Sequence, residues 1–253
     1  MGTPQLKREH RERVGASLVR VQHSPGNGGT GFAVSDYVIV TAAHCLSRIP
    51  TAPGGDDWTV EAAIASKSDP TKKSLAFVRF VDPCSDVAIL SNCGSDGELD
   101  HSRDIEAFEA LLASLTKLGI AGTPCGRSCR CYIPTIDGVW KSATVQSFPG
   151  SIAPRWTIEL KGGVPGGTSG SPVVDEWGRA IGVVSASGGA NADEYVELAM
   201  LATVLPGWLL GLHGINSGDR AKQQARYAQR RDRSFAKRYP VRICGERGQW
   251  LSI

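Results

Sequence analysis

At 253 residues and a formal charge of +3, the chain is long enough for one large or two small domains, and no run in it is long and apolar enough to span a membrane. Its opening, MGTPQLKREHRERVG, is polar throughout and has no secretory signal, so the expectation is a cytoplasmic protein or a piece trimmed from a larger one. A hydrophobic fraction of 41 %, with 30 Gly and 14 Pro, suits short strands joined by many turns.

In chain order, residues 1–13 read as a polar extension. The stretch TGFAVSDYVIVTAAHCL then holds two β-like runs, Gly31 to Val34 and Tyr37 to Thr41, split by the turn pair Ser35-Asp36 and ending at His44. In CSDVAILS, Asp86 opens a fully apolar run that reads as a buried strand. A carboxylate at the mouth of a core strand is costly unless a polar group receives it. Further on, DIEAFEALLASLTKLGI sets Ile105, Phe108, Leu111, Leu112 and Leu115 at helical spacing.

The stretch GGVPGGTSGSPVV surrounds Ser169 with Gly166, Gly167 and Gly170, then runs into Pro172-Val173-Val174. Glycine loosens a backbone, and it is used where φ > 0 or a close approach is needed. Those letters suit a tight turn that holds a hydroxyl and backbone N–H groups open to a ligand, and equally an ordinary Gly/Ser turn between strands. His44 and Asp86 favour the first reading. A serine nucleophile, an imidazole base and a carboxylate that fixes the imidazole tautomer satisfy one another. TVLPGWLLGLHG reads as a closing helix.

With TAAHC at the histidine, D-V-A-I-L at the acid and G-x-S-G-S-P at the serine, the chain resembles the chymotrypsin-fold, trypsin-like serine proteases from about Val14 to Leu210. The resemblance implies an all-β fold: two antiparallel six-stranded β-barrels, the active site in the cleft between them, and a C-terminal helix. It places the first barrel at residues 14–98 with His44 and Asp86, a linker with an inserted helix at 99–118, and the second barrel at 119–202 with Ser169. A closing helix at 203–215 and an extension at 216–253 follow. The implied activity is that of a serine endopeptidase working through an acyl-enzyme, with no cofactor and with a protein or peptide as substrate.

On the same resemblance, His44, Asp86 and Ser169 are catalytic, and the N–H groups of Gly167 and Ser169 form the oxyanion hole. Gly163, Val164, Pro165, Ser185, Ala186 and Ser187 line the specificity pocket, and Ser185 hydrogen-bonds Asp86. The expected pocket floor has no acidic residue, although Asp193 and Glu194 stand on a nearby loop, so a small or medium uncharged side chain before the cut is expected. Thr168 stands where digestive members carry an aspartate that pairs with a freshly cut N-terminus, and the chain has no I-V-G-G start. Activity without N-terminal cleavage is therefore expected, as in the bacterial, HtrA-like and viral branches.

The cysteines and the tail fit no single reading. Seven cysteines leave at least one thiol unpaired, and the disulfide partner that Cys45 has in secreted relatives is missing from Gly31 to Val34. Cys125, Cys129 and Cys131, with Cys84 or Cys93 as a fourth, suit a tetrahedral zinc site; a loop of free thiols or one local disulfide suits the same letters. Residues 220–248 hold ten Lys/Arg against two acids, leaving 18 basic and 23 acidic residues elsewhere. Such a tail suits nucleic acid, an anionic membrane, an acidic partner or docking on its own acidic body. Two alternatives stand beside the peptidase: a maturation protease of a larger precursor, as in viral polyproteins, with a nucleic-acid-associated tail, and a non-catalytic binding module. The second predicts a lost triad residue, and all three are present.

Overall fold

Alternation of apolar and polar side chains sets the first strand. β1 (Leu18–Ser24) buries Val19 and Val21 and leaves Arg20 and Gln22 in solvent, the two-residue period of a sheet with one wet face. In this computed structural model, the described residues are 5–24, 27–46, 61–91, 102–122, 128–146, 155–160, 163–187, 195–212, 242–244 and 250–252. β2 (Asn27–Ser35) and β3 (Val38–Thr41) form a hairpin in which Ser35 pairs with Val38. The turn therefore falls on Asp36-Tyr37, one residue later than the Ser35-Asp36 pair. That register leaves Tyr37 in solvent and buries all four residues of β3.

β4 (Glu61–Ser66), β5 (Lys73–Asp82) and β6 (Val87–Ser91) complete a closed antiparallel barrel in the order β1-β2-β3-β6-β5-β4. Its filling includes Val19, Phe32, Ile39, Ile64 and Leu90, all fully or almost fully buried. The second barrel uses β7 (Ser128–Pro134), β8 (Trp140–Gln146), β9 (Arg155–Glu159), β10 (Pro172–Val174), β11 (Ala180–Ser187) and β12 (Tyr195–Met200). It closes in the order β10-β11-β12-β9-β8-β7, through the single pairs Val174↔Tyr132 and Val145↔Ile158 at its thinnest seams. Ile133, Ile158, Val173, Val184 and Leu198 fill it. The fold is thus the double β-barrel expected from the motifs.

Helices cover the barrels. α1 (Arg8–Gly15) begins in the stretch 1–13 read as a polar extension and runs two residues past it; it buries Val14 and follows a buried Leu6 that lies in the extension itself. The Arg13 guanidinium donates to the Trp177 carbonyl in the β10–β11 turn, so this helix ties the chain's start to the second barrel. α2 (Ser102–Ala113) buries Phe108, Leu111 and Leu112 on one face. After β12 come two short helices, α3 (Leu201–Val204) and α4 (Gly207–Leu212), where one closing helix was expected. Pro206 explains the break: the residue before a proline is pushed out of the helical region, and Leu205 sits at φ −66°, ψ 145°. β13 (Arg242–Cys244) and β14 (Trp250–Ser252) pair as a small hairpin, while residues 220–241 and 245–248 of the basic tail lie outside the described residues. Among the described residues, no helix is long and apolar enough to cross a membrane.

Candidate active site

His44 reaches the site because β3 ends beside it. The chain leaves Thr41 through a 3-10 turn, Ala43–Cys45, that keeps Ala42, Ala43 and Cys45 in the core and the imidazole side chain 48 % exposed. Asp86 arrives by a different device. Asp82, at the end of β5, accepts the N–H groups of Cys84 (3.0 Å) and Ser85 (3.3 Å) and the Ser85 hydroxyl (2.7 Å). The chain turns tightly there, and Asp86 leaves at φ 58°, a left-handed conformation that costs an L-residue about 1–2 kcal/mol.

The buried Asp86 carboxylate is fully received. Its Oδ1 accepts the His44 N–H (2.9 Å), and its Oδ2 accepts His44 Nδ1–H (2.7 Å) and the Ser185 hydroxyl (2.6 Å) from β11 of the other barrel. Its carbonyl also accepts the Ala43 N–H at 3.1 Å. Burial works to raise the Asp86 pKa, but the hydrogen bonds from His44 and Ser185 outweigh it and hold the carboxyl below its usual range. The Asp86 hydrogen bond, foremost, and the Cys45 sulfur push His44 up to about 10. Asp86 therefore holds Nδ1 protonated and turns Nε2 outward, the geometry that a general base requires.

Ser169 sits in a loop of short turns. Thr168 N–H donates to Pro165 O (3.2 Å), Ser171 N–H to Thr168 O (2.9 Å) and Gly170 N–H to Val184 O (2.8 Å). β2 grips the loop from the first barrel: Thr30 N–H donates to Ser169 O (2.8 Å), and Thr30 Oγ1 donates to Gly167 O (2.9 Å). The Cys45 thiol points at the same Ser169 carbonyl from 3.5 Å and lies 4.0 Å from His44 Nε2. Gly167 and Gly170 both have φ +83°, where glycine carries no Cβ penalty. Gly166 needs neither that φ nor the space, since nothing lies within 4 Å of a Cβ built there. Among the described residues, the N–H groups of Gly167 and Ser169 donate to no protein acceptor.

Of the residues expected at the pocket, Ser185 belongs to the Asp86 network, Gly163 is buried, Val164 is half-buried and Pro165 is exposed. Ala186 and Ser187 extend β11, but their side chains lie outside the described residues, as do Asp193 and Glu194 on the nearby loop. Sequence reading missed Thr30 and Asp82. Their role is hydrogen bonding across the fold or within a turn, and a lone Thr in a strand or an Asp before a proline carries no letter signal for it. Among the described residues, no group of three His, Cys, Asp or Glu side chains is placed to hold a metal. Cys129 and Cys131 on β7 are free thiols, and burial pushes Cys131 up to about 12, so it stays protonated; Cys93 and Cys125 lie outside the described residues.

Two closed barrels with a His–Asp pair on one and a Gly-framed serine loop on the other define a peptidase of the double-barrel class. The chain belongs to the trypsin-like peptidase domain family, whose model matches residues 29–183, and it is a serine protease. No curated protein sequence matches it. Solved structures share the fold at low identity. The Rv3671c protease of M. tuberculosis in its active form is 20 % identical, covers 85 % of this chain and 89 % of its own, and has a TM-score of 0.54. Deg5 is 18 % identical over 78 % of this chain and 88 % of its own, with a TM-score of 0.51. A serine endoprotease from Yersinia pestis is 18 % identical over 83 % of this chain and 68 % of its own, also at 0.51.

Proposed function

We propose that the chain is a serine endopeptidase that cuts peptide bonds through an acyl-enzyme, with Ser169 as nucleophile, His44 as general base and acid, and Asp86 as the group that orients His44. Ser169 Oγ attacks the scissile carbonyl carbon while its proton passes to His44 Nε2. The carbonyl oxygen becomes an oxyanion received by the N–H groups of Gly167 and Ser169. The C–N bond then breaks, His44 gives its proton to the leaving amine, and a water repeats the sequence to free Ser169. The observation that carries this reading is the Asp86 carboxylate, held by both His44 and Ser185 at 2.6–2.9 Å and so able to fix one imidazole tautomer. The two uncommitted N–H groups suit an oxyanion, and each such donor is worth about 3 kcal/mol of transition-state stabilisation.

The enzyme works as made, without N-terminal cleavage. Thr168 is fully buried and uncharged, and a terminal ammonium brought beside it would be left without a counter-ion, at a cost of several kcal/mol. The residue before the cut is small or medium and uncharged, accepted between Gly163–Pro165 and Ser185–Ser187. The test is a peptide-library digest by the purified chain and its Ser169→Ala variant. Hydrolysis by the variant should fall by up to about 10⁶ in kcat, with folding intact. Activity within tenfold of wild type would remove Ser169 from the role.

A further inference from the structure

The residue before the proposed nucleophile is held by a neutral side chain, and what holds that side chain crosses to the other barrel. Thr168 Oγ1 accepts the Ile136 N–H at 3.2 Å. Ile136 belongs to the β7–β8 turn, and its side chain packs under Gly167, with Ile136 Cγ1 3.5 Å from where a Gly167 Cβ would stand. The turn is closed within itself. Thr135 donates twice to the Val139 carbonyl, from its N–H at 2.9 Å and its Oγ1 at 2.6 Å, with the one hydroxyl proton shared with the Asp137 carboxylate. The Thr135 carbonyl takes the Gly138 N–H at 3.0 Å and, at 3.0 Å, the Nζ of Lys67 from the β4–β5 turn of the first barrel.

We infer that Lys67 is a positioning residue for the oxyanion-hole loop, acting across the two barrels through Thr135, Ile136 and Thr168. The inference rests on the reading of Gly167 and Ser169 proposed above. The chain of contacts is continuous: ammonium to carbonyl, one residue along to the Ile136 amide, hydroxyl of Thr168, then the peptides on either side of it. Each link ties a rigid element to the next, since β7 and β8 pair over seven residues up to this turn. A loop supported in this way needs no ion pair to a new N-terminus, which gives the uncharged Thr168 a structural reason.

Displacing a hydrogen-bond donor by about 1 Å costs up to about 10² in rate, and losing one oxyanion donor costs about 10²–10³. The Lys67 link acts at two removes, so its loss should cost the lower part of that range. Lys67 also lines, with Leu18, Pro134 and Trp140, an open pocket of about 240 Å³, and the unbranched methionine is no bulkier than the lysine it replaces there.

The experiment measures kcat, KM and melting temperature on a peptide substrate for Lys67→Met, Thr168→Val, their double variant, Thr168→Ser and Lys67→Arg, with Lys72→Met in the same turn as control. Expected are a kcat loss of about 10- to 100-fold in both single variants with KM within threefold, and a double variant no worse than the weaker single one. Thr168→Ser, which keeps the hydroxyl, and Lys67→Arg, which keeps a donor, should recover kcat to within about fivefold of wild type. The inference is overturned if Lys67→Met keeps kcat within twofold, if its loss appears in KM alone, or if the two single losses multiply in the double variant. If Thr168→Val does not fold, the comparison of Lys67→Met with Lys67→Arg decides alone. Ser169→Ala separates the two readings: a dead Ser169→Ala with a fully active Lys67→Met sinks the positioning role, whereas an active Ser169→Ala sinks the nucleophile.

Discussion

Replacing Gly170 by alanine should damage the enzyme more than any other single methyl added to the loop around Ser169. A Cβ there would lie 1.9 Å from the Thr30 carbonyl oxygen and 2.5 Å from Thr41 Oγ1, in a backbone at φ +83°. Neither neighbour can give way cheaply. Thr41 Oγ1 donates to Thr30 O at 2.7 Å, and Thr30 in turn holds Ser169 O and Gly167 O. To admit the methyl, β2 and the loop must part by about 1 Å. The left-handed φ costs about 1–2 kcal/mol for alanine, overpacking a further 1–3 or so, and each strained hydrogen bond about 1. With the three bonds made by Thr30 and Thr41 strained, the sum is about 5–8 kcal/mol. At about 2–4 °C per kcal/mol for a chain of this size, the melting temperature should fall by roughly 10 °C or more. Thermal unfolding followed by circular dichroism reads this directly, and folded protein should also show kcat reduced at least tenfold, because the grip of Thr30 on Ser169 is lost. Gly166→Ala is the matched control, with open space around the new methyl and no positive φ, and should shift the melting temperature by about 2 °C at most. A Gly170→Ala protein that melts within 2 °C of wild type would refute the close approach of the barrels at Thr30.

The remaining expectations concern the polar network and the chain's start. Since only neutral imidazole accepts the serine proton and Asp86 raises the His44 pKa, kcat/KM should climb with pH through a midpoint above the ordinary 6.5; Asp86→Asn should move that midpoint down while cutting kcat by up to about 10⁴, and a profile flat from pH 5 to 10 would remove His44 as base. Ser185→Ala removes one donor from Asp86, worth about 1.5–3 kcal/mol as a bond to a charged group, so steady-state kinetics should show kcat lowered about tenfold with KM little changed. Residues added before Met1 should leave kcat/KM within about threefold, whereas deletion through Val14 strips two buried side chains, Leu6 and Val14, and should lower stability by at least about 2–4 kcal/mol in denaturant melts without raising activity. A hundredfold rise in activity on trimming would show a zymogen switch.

Local letters were enough for a few strands and for the family. The apolar run after Asp86 and the Val38–Thr41 run are legible because a strand buried along its whole length needs no partner to be recognised, and three short motifs in the order His, Asp, Ser point to one fold. Glycine need was legible at Gly167 and Gly170 because chirality makes a positive φ expensive for anything else. Composition hid other features. The charged residues of α1 and its lead-in mask the buried Val14 in the helix and the buried Leu6 before it, and the proline that splits α3 from α4 acts through the conformation of Leu205.

Tertiary structure decided everything that depends on two distant segments meeting. Sequence alone made a polar partner for Asp86 necessary and named His44, and the family resemblance added Ser185; the packing of the two barrels is what brings Ser185, 99 residues away, onto the same oxygen. Thr30 holding the Ser169 carbonyl, and Lys67 holding the Thr135 carbonyl, are contacts of the same kind. A hydrogen bond has no periodicity along the chain. Its partners are chosen by strand register and barrel closure, which depend on the whole set of side chains filling the two cores.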